Sequence, residues 1–235
     1  MIPLYAHRLG RAYGTDNSRT ALAGALAADA DGLETDVCLT ADGGLVLLHD
    51  PWLPSGTDLE GWAHERTAAE LRRARLSGGE APLFVDDLLA AAPRDLVLQF
   101  DVKSHADPEL ATRTVDALAA ALASASGRRV EVLSFASAAC ARAASLGLPA
   151  RLVIWADYAP QTLARWARRH RVVGVCVEHF LLSRPLVAAL RRGGLSVTTG
   201  TVNDAALLRR VAAHGVDAVT TDDPAALRAR LAAAA

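Results

Sequence analysis

Short apolar runs recur along the chain, and most are followed by a stretch in which Ala, Leu and Arg repeat with helical spacing. That alternation predicts parallel βα units, because a strand covered on both faces reads as an unbroken apolar run and its crossover helix as a one-sided stripe. Strands are expected near residues 4–8, 33–39, 96–102, 130–135, 151–155, 173–178, 196–201 and 218–221, with helices over Pro108–Ser124, Ser137–Leu146, Pro160–His170, Pro185–Arg192 and Asp204–His214. Eight such units in 235 residues suit an α/β fold of the (β/α)8 TIM-barrel class, whose usual size is about 250 residues. An open doubly wound sheet fits less well. His7-Arg8-Leu9-Gly10 follows the first strand, where a glycine-rich dinucleotide loop would stand.

The regular alternation breaks once. After the second barrel strand, Ala41-Asp42-Gly43-Gly44 separates two apolar runs, which predicts a short hairpin with Leu45–Asp50 folding back antiparallel. A two-residue Asp42-Gly43 turn would place His49 across from Asp36. Residues 51–95 then read as a reduced insertion beside the barrel mouth, with helices near Thr67–Arg75 and Val85–Ala91. The alanine-rich stretch Leu227–Ala235 reads as the last barrel helix and its frayed end, so residues 1–235 are expected to form a single barrel domain.

Composition narrows the partners. A formal net charge of −1 supplies no basic field for nucleic acid or anionic lipid. No stretch approaches the roughly 20 apolar residues of a membrane span. The start, Met1-Ile2-Pro3-Leu4-Tyr5-Ala6, meets polar His7-Arg8 before a secretory apolar region could form, which predicts a cytoplasmic protein acting on a small molecule. Cys38, Cys140 and Cys176 are an odd number at wide spacing, so buried free thiols are expected rather than disulfides or a zinc ribbon. Lys103 is the only lysine among 25 basic side chains. Its retention points to a task for a compact point charge.

Polar residues at strand ends are the candidates for chemistry, because reactive groups in such barrels sit at the C-terminal ends of the strands. The first strand ends in His7-Arg8, Glu34 and Asp36 share one face of the second, and the hairpin leads to His49-Asp50. On the next strand Gln99, Asp101 and Lys103 alternate inward. Glu34, Asp36 and Asp101 converging in one mouth would repel one another without a cation between them, and oxygen-only ligands suit Mg²⁺ or Ca²⁺. Structural ion pairs with Arg8 or Lys103 are the alternative. Arg8 and Lys103 supply the positive charge that a phosphate needs, and His7 and His49 are suited to general acid and base work. Glu178 is a further candidate carboxylate in the mouth, Asp50 reads as a turn cap, and Asp222-Asp223-Pro224 as the cap of the last helix.

The same residues resemble the glycerophosphodiester phosphodiesterase family over nearly the whole chain. The matching segments are His7-Arg8, Asp16-Asn17-Ser18, Leu33-Glu34-Thr35-Asp36-Val37, Asp42-Gly43, His49-Asp50, Asp101-Val102-Lys103, Gly200-Thr201-Val202-Asn203 and Gly215 through Asp222. The resemblance implies a (β/α)8 barrel, His7 and His49 as the acid/base pair, Glu34, Asp36 and Asp101 as metal ligands, and Arg8 and Lys103 as phosphate contacts. The chain departs from the family pattern where Leu9 precedes Gly10, where Asp16-Asn17-Ser18 replaces Glu-Asn-Thr, where Asp101 replaces Glu, and where Gly200 replaces Trp. The expected reaction is metal-dependent hydrolysis of a glycerophosphodiester to glycerol phosphate and an alcohol. The alternatives are a non-catalytic barrel that binds a phosphate ligand and, with less support, a sugar-phosphate isomerase or aldolase. The sequence leaves the oligomeric state, the head group and the choice of metal open. It points to Trp155 or Trp52 as a substitute for the aromatic wall missing at Gly200.

Overall fold

The computed structural model describes residues 2–105, 107–125 and 127–233. Eight parallel strands close into a barrel: β1 (Leu4–Ala6), β2 (Gly32–Leu39), β4 (Val97–Val102), β5 (Arg129–Ser134), β6 (Ala150–Ile154), β7 (Gly174–Val177), β8 (Ser196–Thr199) and β9 (Ala218–Thr221). Closure is direct, since β1 pairs with both β2 and β9. The remaining strand, β3 (Leu45–Val46), runs antiparallel to β2. The (β/α)8 architecture is therefore as the periodicity predicts, and among the described residues no helix is long and apolar enough to cross a membrane.

Local signals set the helices. Helices α1 (Arg19–Ala27), α7 (Arg184–Arg192) and α8 (Ala205–Ala213) are capped by the side chains of Ser18, Ser183 and Asp204. Asp107 accepts from two backbone N–H groups at the start of α4 (Pro108–Ala123), and Asp223 caps α9 (Pro224–Ala232), each with proline in the first turn. Proline also opens α6 (Pro160–His170), whose final turn carries Arg168, Arg169 and His170 against the negative end of the helix dipole. With α5 (Ser137–Ser145), these helices cover the outward strand residues, and Leu33, Leu98, Phe100, Val132, Val175 and Val197 are completely buried. Ala234 and Ala235, assigned to the frayed end, lie outside the described residues.

The hairpin differs from its expected register. Cys38 pairs with Val46 and Leu39 with Leu45, so Thr40 and Gly44 flank a three-residue loop, Ala41-Asp42-Gly43. Gly43 takes φ +86° at the third loop position, the left-handed geometry of a three-residue hairpin, whereas the two-residue turn needs positive φ at two successive positions. His49 is therefore not directly across from Asp36. Antiparallel pairing ends after Val46, where Leu47 N–H donates to Leu83 O instead. The segment before β4 contains α2 (Ala68–Leu71) and α3 (Val85–Ala91) and builds a second apolar cluster around Leu53, Leu71, Leu76 and Phe84.

The barrel interior below the mouth is polar. Arg151 donates to both carboxylate oxygens of Glu131 at 2.9 and 2.8 Å and to Ser196 at 2.6 Å. Gln99, expected in the mouth, lies in this lower layer and donates to Glu131 at 2.6 Å. Gly174 is required beside it, because a Cβ there would collide with the Arg151 guanidinium and the Ser196 backbone. Glu131→Ala should destabilise the fold by about 1–3 kcal/mol, because it leaves Arg151 without its bidentate partner in a pair that is only partly buried. Urea denaturation checks this, and a change below about 0.5 kcal/mol would show that water already compensates Arg151.

Candidate active site

The chain leaves β1 through a 3₁₀ turn, His7–Leu9, in which Arg8 (φ 50°) and Leu9 (φ 63°) both take the left-handed region. Leu9 thus occupies a backbone conformation that glycine adopts without steric penalty, and its side chain is fully buried. The turn aims the Arg8 N–H at Glu34 Oε2, 2.9 Å away.

Glu34 and Asp36 alternate on β2, and Asp36 is the register partner of Asp101 on β4. The three are buried, and one carboxylate oxygen from each lies within 4.8 Å of the others. Lys103 Nζ reaches Asp36 Oδ1 at 2.8 Å and Asp101 Oδ2 at 2.6 Å. Asn17, in the left-handed region at φ 57°, donates to Asp36 Oδ2 at 2.9 Å while its own Oδ1 accepts from Thr35. Arg8 Nε is 3.8 Å from Asp36, and its Nη1 donates to Asp16 at 2.6 Å.

These contacts divide the carboxylates. Burial, and then the charge of Asp36, push the Glu34 carboxyl up to about 7. Burial also raises Asp101, although Lys103 opposes it. Asp36 is lowered: burial works against ionisation there, but Lys103 and His49 outweigh it. Lys103 is held above its ordinary range because Asp101 and Asp36 overcome the effect of its own burial. Among the described residues, Asp101 Oδ1 is buried without a hydrogen-bond partner. Three carboxylates, an orphaned acceptor and an all-oxygen donor set fit a hard divalent cation.

Each histidine has a carboxylate beside Nδ1. His7 Nδ1 is 2.7 Å from Asp222 Oδ1, and Asn203 fixes that carboxylate by donating to Oδ2 at 2.6 Å. Burial alone would lower the His7 pKa, but the Asp222 hydrogen bond and the Glu34 charge give a net rise. His49 Nδ1 lies 3.1 Å from Asp50 Oδ1. Asp50 is thus a histidine neighbour rather than a simple turn cap. In the expected cap of the last helix only Asp223 caps, accepting from Ala226 N–H, while Asp222 turns to His7.

All seven expected site residues line one cleft of about 210 Å³ at the C-terminal end of the barrel: His7, Arg8, Glu34, Asp36, His49, Asp101 and Lys103. Glu178, the half-buried Cys176 and Gly200 line it as well. A larger hollow of about 430 Å³ lies at the opposite end, near Val97, Arg129 and Pro149, away from the carboxylate triad. Neither Trp155 nor Trp52 lines the cleft beside Gly200, and Trp52 packs instead on Trp62 with ring centroids 4.8 Å apart. The expected replacement of the aromatic wall is absent, since residues 51–62 pack as their own layer across the Trp52–Trp62 bridge. The orienting roles of Asn17, Asn203 and Asp222 escaped the sequence reading, although all three fall within the matching segments.

Comparison with known proteins places this geometry. The sequence pattern of the Glycerophosphoryl diester phosphodiesterase family matches residues 7–226. The chain belongs to this family. Its members among the relatives include a glycerophosphodiester phosphodiesterase of Caldanaerobacter subterraneus, 25% identical over 94% of both chains. The structure of a glycerophosphodiester phosphodiesterase from Parabacteroides distasonis superimposes with a TM-score of 0.83 at 26% identity, covering 99% of this chain and 97% of the other. An Oleispira antarctica phosphodiesterase, solved in complex with the product sn-glycerol-3-phosphate, gives a TM-score of 0.89 at 20% identity over 98% and 96% of the two chains. As a glycerophosphodiester phosphodiesterase the chain is a phosphoric diester hydrolase, and Glu34, Asp36 and His49 of the matching Glu-x-Asp and His-Asp segments line the cleft.

Proposed function

We propose that the chain hydrolyses glycerophosphodiesters to glycerol phosphate and a free alcohol, using a divalent cation held by Glu34, Asp36 and Asp101 and proton transfer by His7 and His49. The observation that carries this reading is the meeting of a buried carboxylate triad, two cations and two carboxylate-backed histidines in one cleft. When bound, the cation, Mg²⁺ or Ca²⁺, supplies Lewis-acid stabilisation of charge on the phosphoryl oxygens. Arg8 and Lys103 orient the phosphate and balance its charge by charge-assisted hydrogen bonds. Asp222 on Nδ1 fixes the His7 ring so that Nε2 is left for proton transfer. One histidine takes the proton of the attacking O–H, from water or from the substrate's neighbouring hydroxyl with water then opening the cyclic phosphate, and the other gives a proton to the departing alkoxide. The charge of Glu34 acts on His7 and that of His49 on Asp36, so the two histidines couple to different carboxylates of the triad.

Product analysis tests the reading. Incubation with glycerophosphoethanolamine should release glycerol phosphate and ethanolamine in equal amounts. Binding without release would instead support a non-catalytic barrel, and isomerisation of a sugar phosphate without diester cleavage would support the third class.

The electrostatics add a pH prediction. Glu34 carries a proton below about 7 in the metal-free site, and a cation can bind its carboxylate only after displacing that proton. Metal affinity should therefore fall as the pH is lowered beneath about 7, by up to about tenfold per pH unit for one displaced proton. Calorimetric titration at several pH values measures this, and an affinity that stays constant between pH 5 and 7 would remove Glu34 from the ligand set.

A further inference from the structure

The net charge of −1 averages over an uneven surface. Residues 155–195, which hold α6 and α7 and the loops that lead into them, contain seven arginines against two carboxylates, Asp157 and Glu178. All seven arginines are exposed, and among the described residues only Arg191 stands in an ion pair, with Asp217. Glu178 lines the cleft rather than the outer side of the helices. Across the barrel, the connection between β2 and β4 has the opposite balance, with eight carboxylates and five arginines over residues 51–95. The fold therefore has a basic side and an acidic side.

On the basic side, α6 and α7 approach closely because Gly193 has no side chain: a Cβ there would lie 2.6 Å from that of Ala164. Between the helices runs a groove of about 370 Å³, lined by Arg165 and Arg168 from α6 and Arg192 from α7. Among the described residues no carboxylate lines it. Arg168 Nη1 reaches across to Gly193 O at 3.4 Å, and Arg165 Nη2 donates to Thr162 Oγ1 at 3.1 Å, so both guanidinium groups keep donors for an external acceptor. At the mouth end of the same two helices, the loops 155–159 and 178–183 hold out Trp155, Tyr158 and Phe180, which are 58%, 50% and 66% exposed. None of these three lines the catalytic cleft. Three large rings turned to water on one stretch of rim mark a contact surface.

We propose that the α6–α7 side and the adjoining rim form a docking face for an anionic lipid bilayer, with the arginines meeting lipid phosphates and Trp155, Tyr158 and Phe180 entering the interface. Guanidinium groups bind phosphate through paired N–H donors, and Trp and Tyr favour the headgroup level of a bilayer. The acidic side lies across the barrel, so the field of the whole molecule turns the basic side toward a negative surface. A bilayer offers phosphates and an apolar boundary along one plane, which suits arginines on the outer helices with aromatic rings at their mouth end. Single-stranded RNA would require rings interleaved with the cations, so that bases stack between phosphate contacts. Here the rings and the arginines form separate blocks. An acidic peptide in the groove would leave the three rings in water. Docking of this kind is independent of the reaction in the cleft and goes beyond it.

Co-sedimentation of the whole chain with vesicles tests this, using phosphatidylcholine alone and phosphatidylcholine mixed with phosphatidylglycerol. The protein should bind the mixed vesicles, leave the neutral ones in solution, and be released as salt is raised to about 0.5 M. Replacing Arg165, Arg168 and Arg192 together by Gln should weaken binding by about 10²-fold, roughly fivefold for each cation near the surface. Trp155→Ala with Phe180→Ala should weaken it severalfold and reduce the quenching of tryptophan fluorescence by brominated lipid. Both variants should keep the wild-type Tm, and their hydrolysis of soluble glycerophosphoethanolamine should match that of the wild-type protein, since none of these residues lines the cleft. Failure to bind the mixed vesicles overturns the proposal, as does equal binding to neutral ones or an unchanged affinity in the arginine variant. Tighter binding to single-stranded RNA or to polyglutamate than to the mixed vesicles would assign the face to that partner and overturn it too. If no diester is cleaved, the phosphodiesterase reading fails separately, and the vesicle and Tm measurements still decide this one.

Discussion

His7→Ala and His49→Ala are each expected to lower kcat by about 10²- to 10⁴-fold, the usual contribution of a positioned acid or base, with little change in KM. The two rings flank the carboxylate triad from different elements, one on the turn after β1 and the other beyond the hairpin, so neither can replace the other. Asp222→Asn should cause a smaller loss and move the pH–rate limb belonging to His7 to lower pH. The sign follows from the pairing: the Asp222 hydrogen bond raises the His7 pKa, and removing the carboxylate charge lets burial pull it back down. Steady-state kinetics across pH measure both effects. Near wild-type turnover in either alanine variant would make that histidine structural, and an unmoved limb in Asp222→Asn would deny Asp222 its positioning role.

The second large effect concerns the carboxylates. Asp36→Asn should weaken metal binding by about 10²-fold or more and leave activity dependent on added metal. Asp36 is the one carboxylate of the three whose surroundings favour the charged form, and its loss removes a full negative oxygen donor from a hard-cation site. It also leaves Lys103 without one of its two partners. Glu34→Gln should act in the same direction, whereas Asp101→Glu should keep or improve affinity by restoring the longer side chain of the family pattern. Calorimetric metal titration of the three variants checks the set. Unchanged affinity in Asp36→Asn and Glu34→Gln would return the carboxylates to structural ion pairing with Arg8 and Lys103.

The residues that line the cleft were legible in the sequence because the barrel converts strand alternation into inward direction. Once Glu34, Asp36, Asp101 and Lys103 are placed on strands, their convergence follows from parity alone. His49 reached the site for a different reason from the one expected. The pairing thought to carry it stops at Val46, and the chain after the hairpin brings it to the mouth through the Leu47–Leu83 hydrogen bond. The loop at Ala41-Asp42-Gly43 was misjudged because Asp-Gly serves both two- and three-residue hairpins, and only the backbone angles separate them. Asp222 was hidden by Asp223 and Pro224, which satisfy the helix-cap pattern and make the neighbouring aspartate look redundant. Its pairing with His7 spans 215 positions and arises only on closure of the barrel between β1 and β9.

The most direct test is the initial rate of glycerol phosphate release from glycerophosphoethanolamine, followed before chelation, after complete removal of divalent cations, and after restoring Mg²⁺ or Ca²⁺. The rate should fall to background on chelation and return with one of the two ions in the wild-type protein but not in His7→Ala or His49→Ala. Full turnover in the chelated protein would contradict the account, because Glu34, Asp36 and Asp101 would then serve no cation in the reaction.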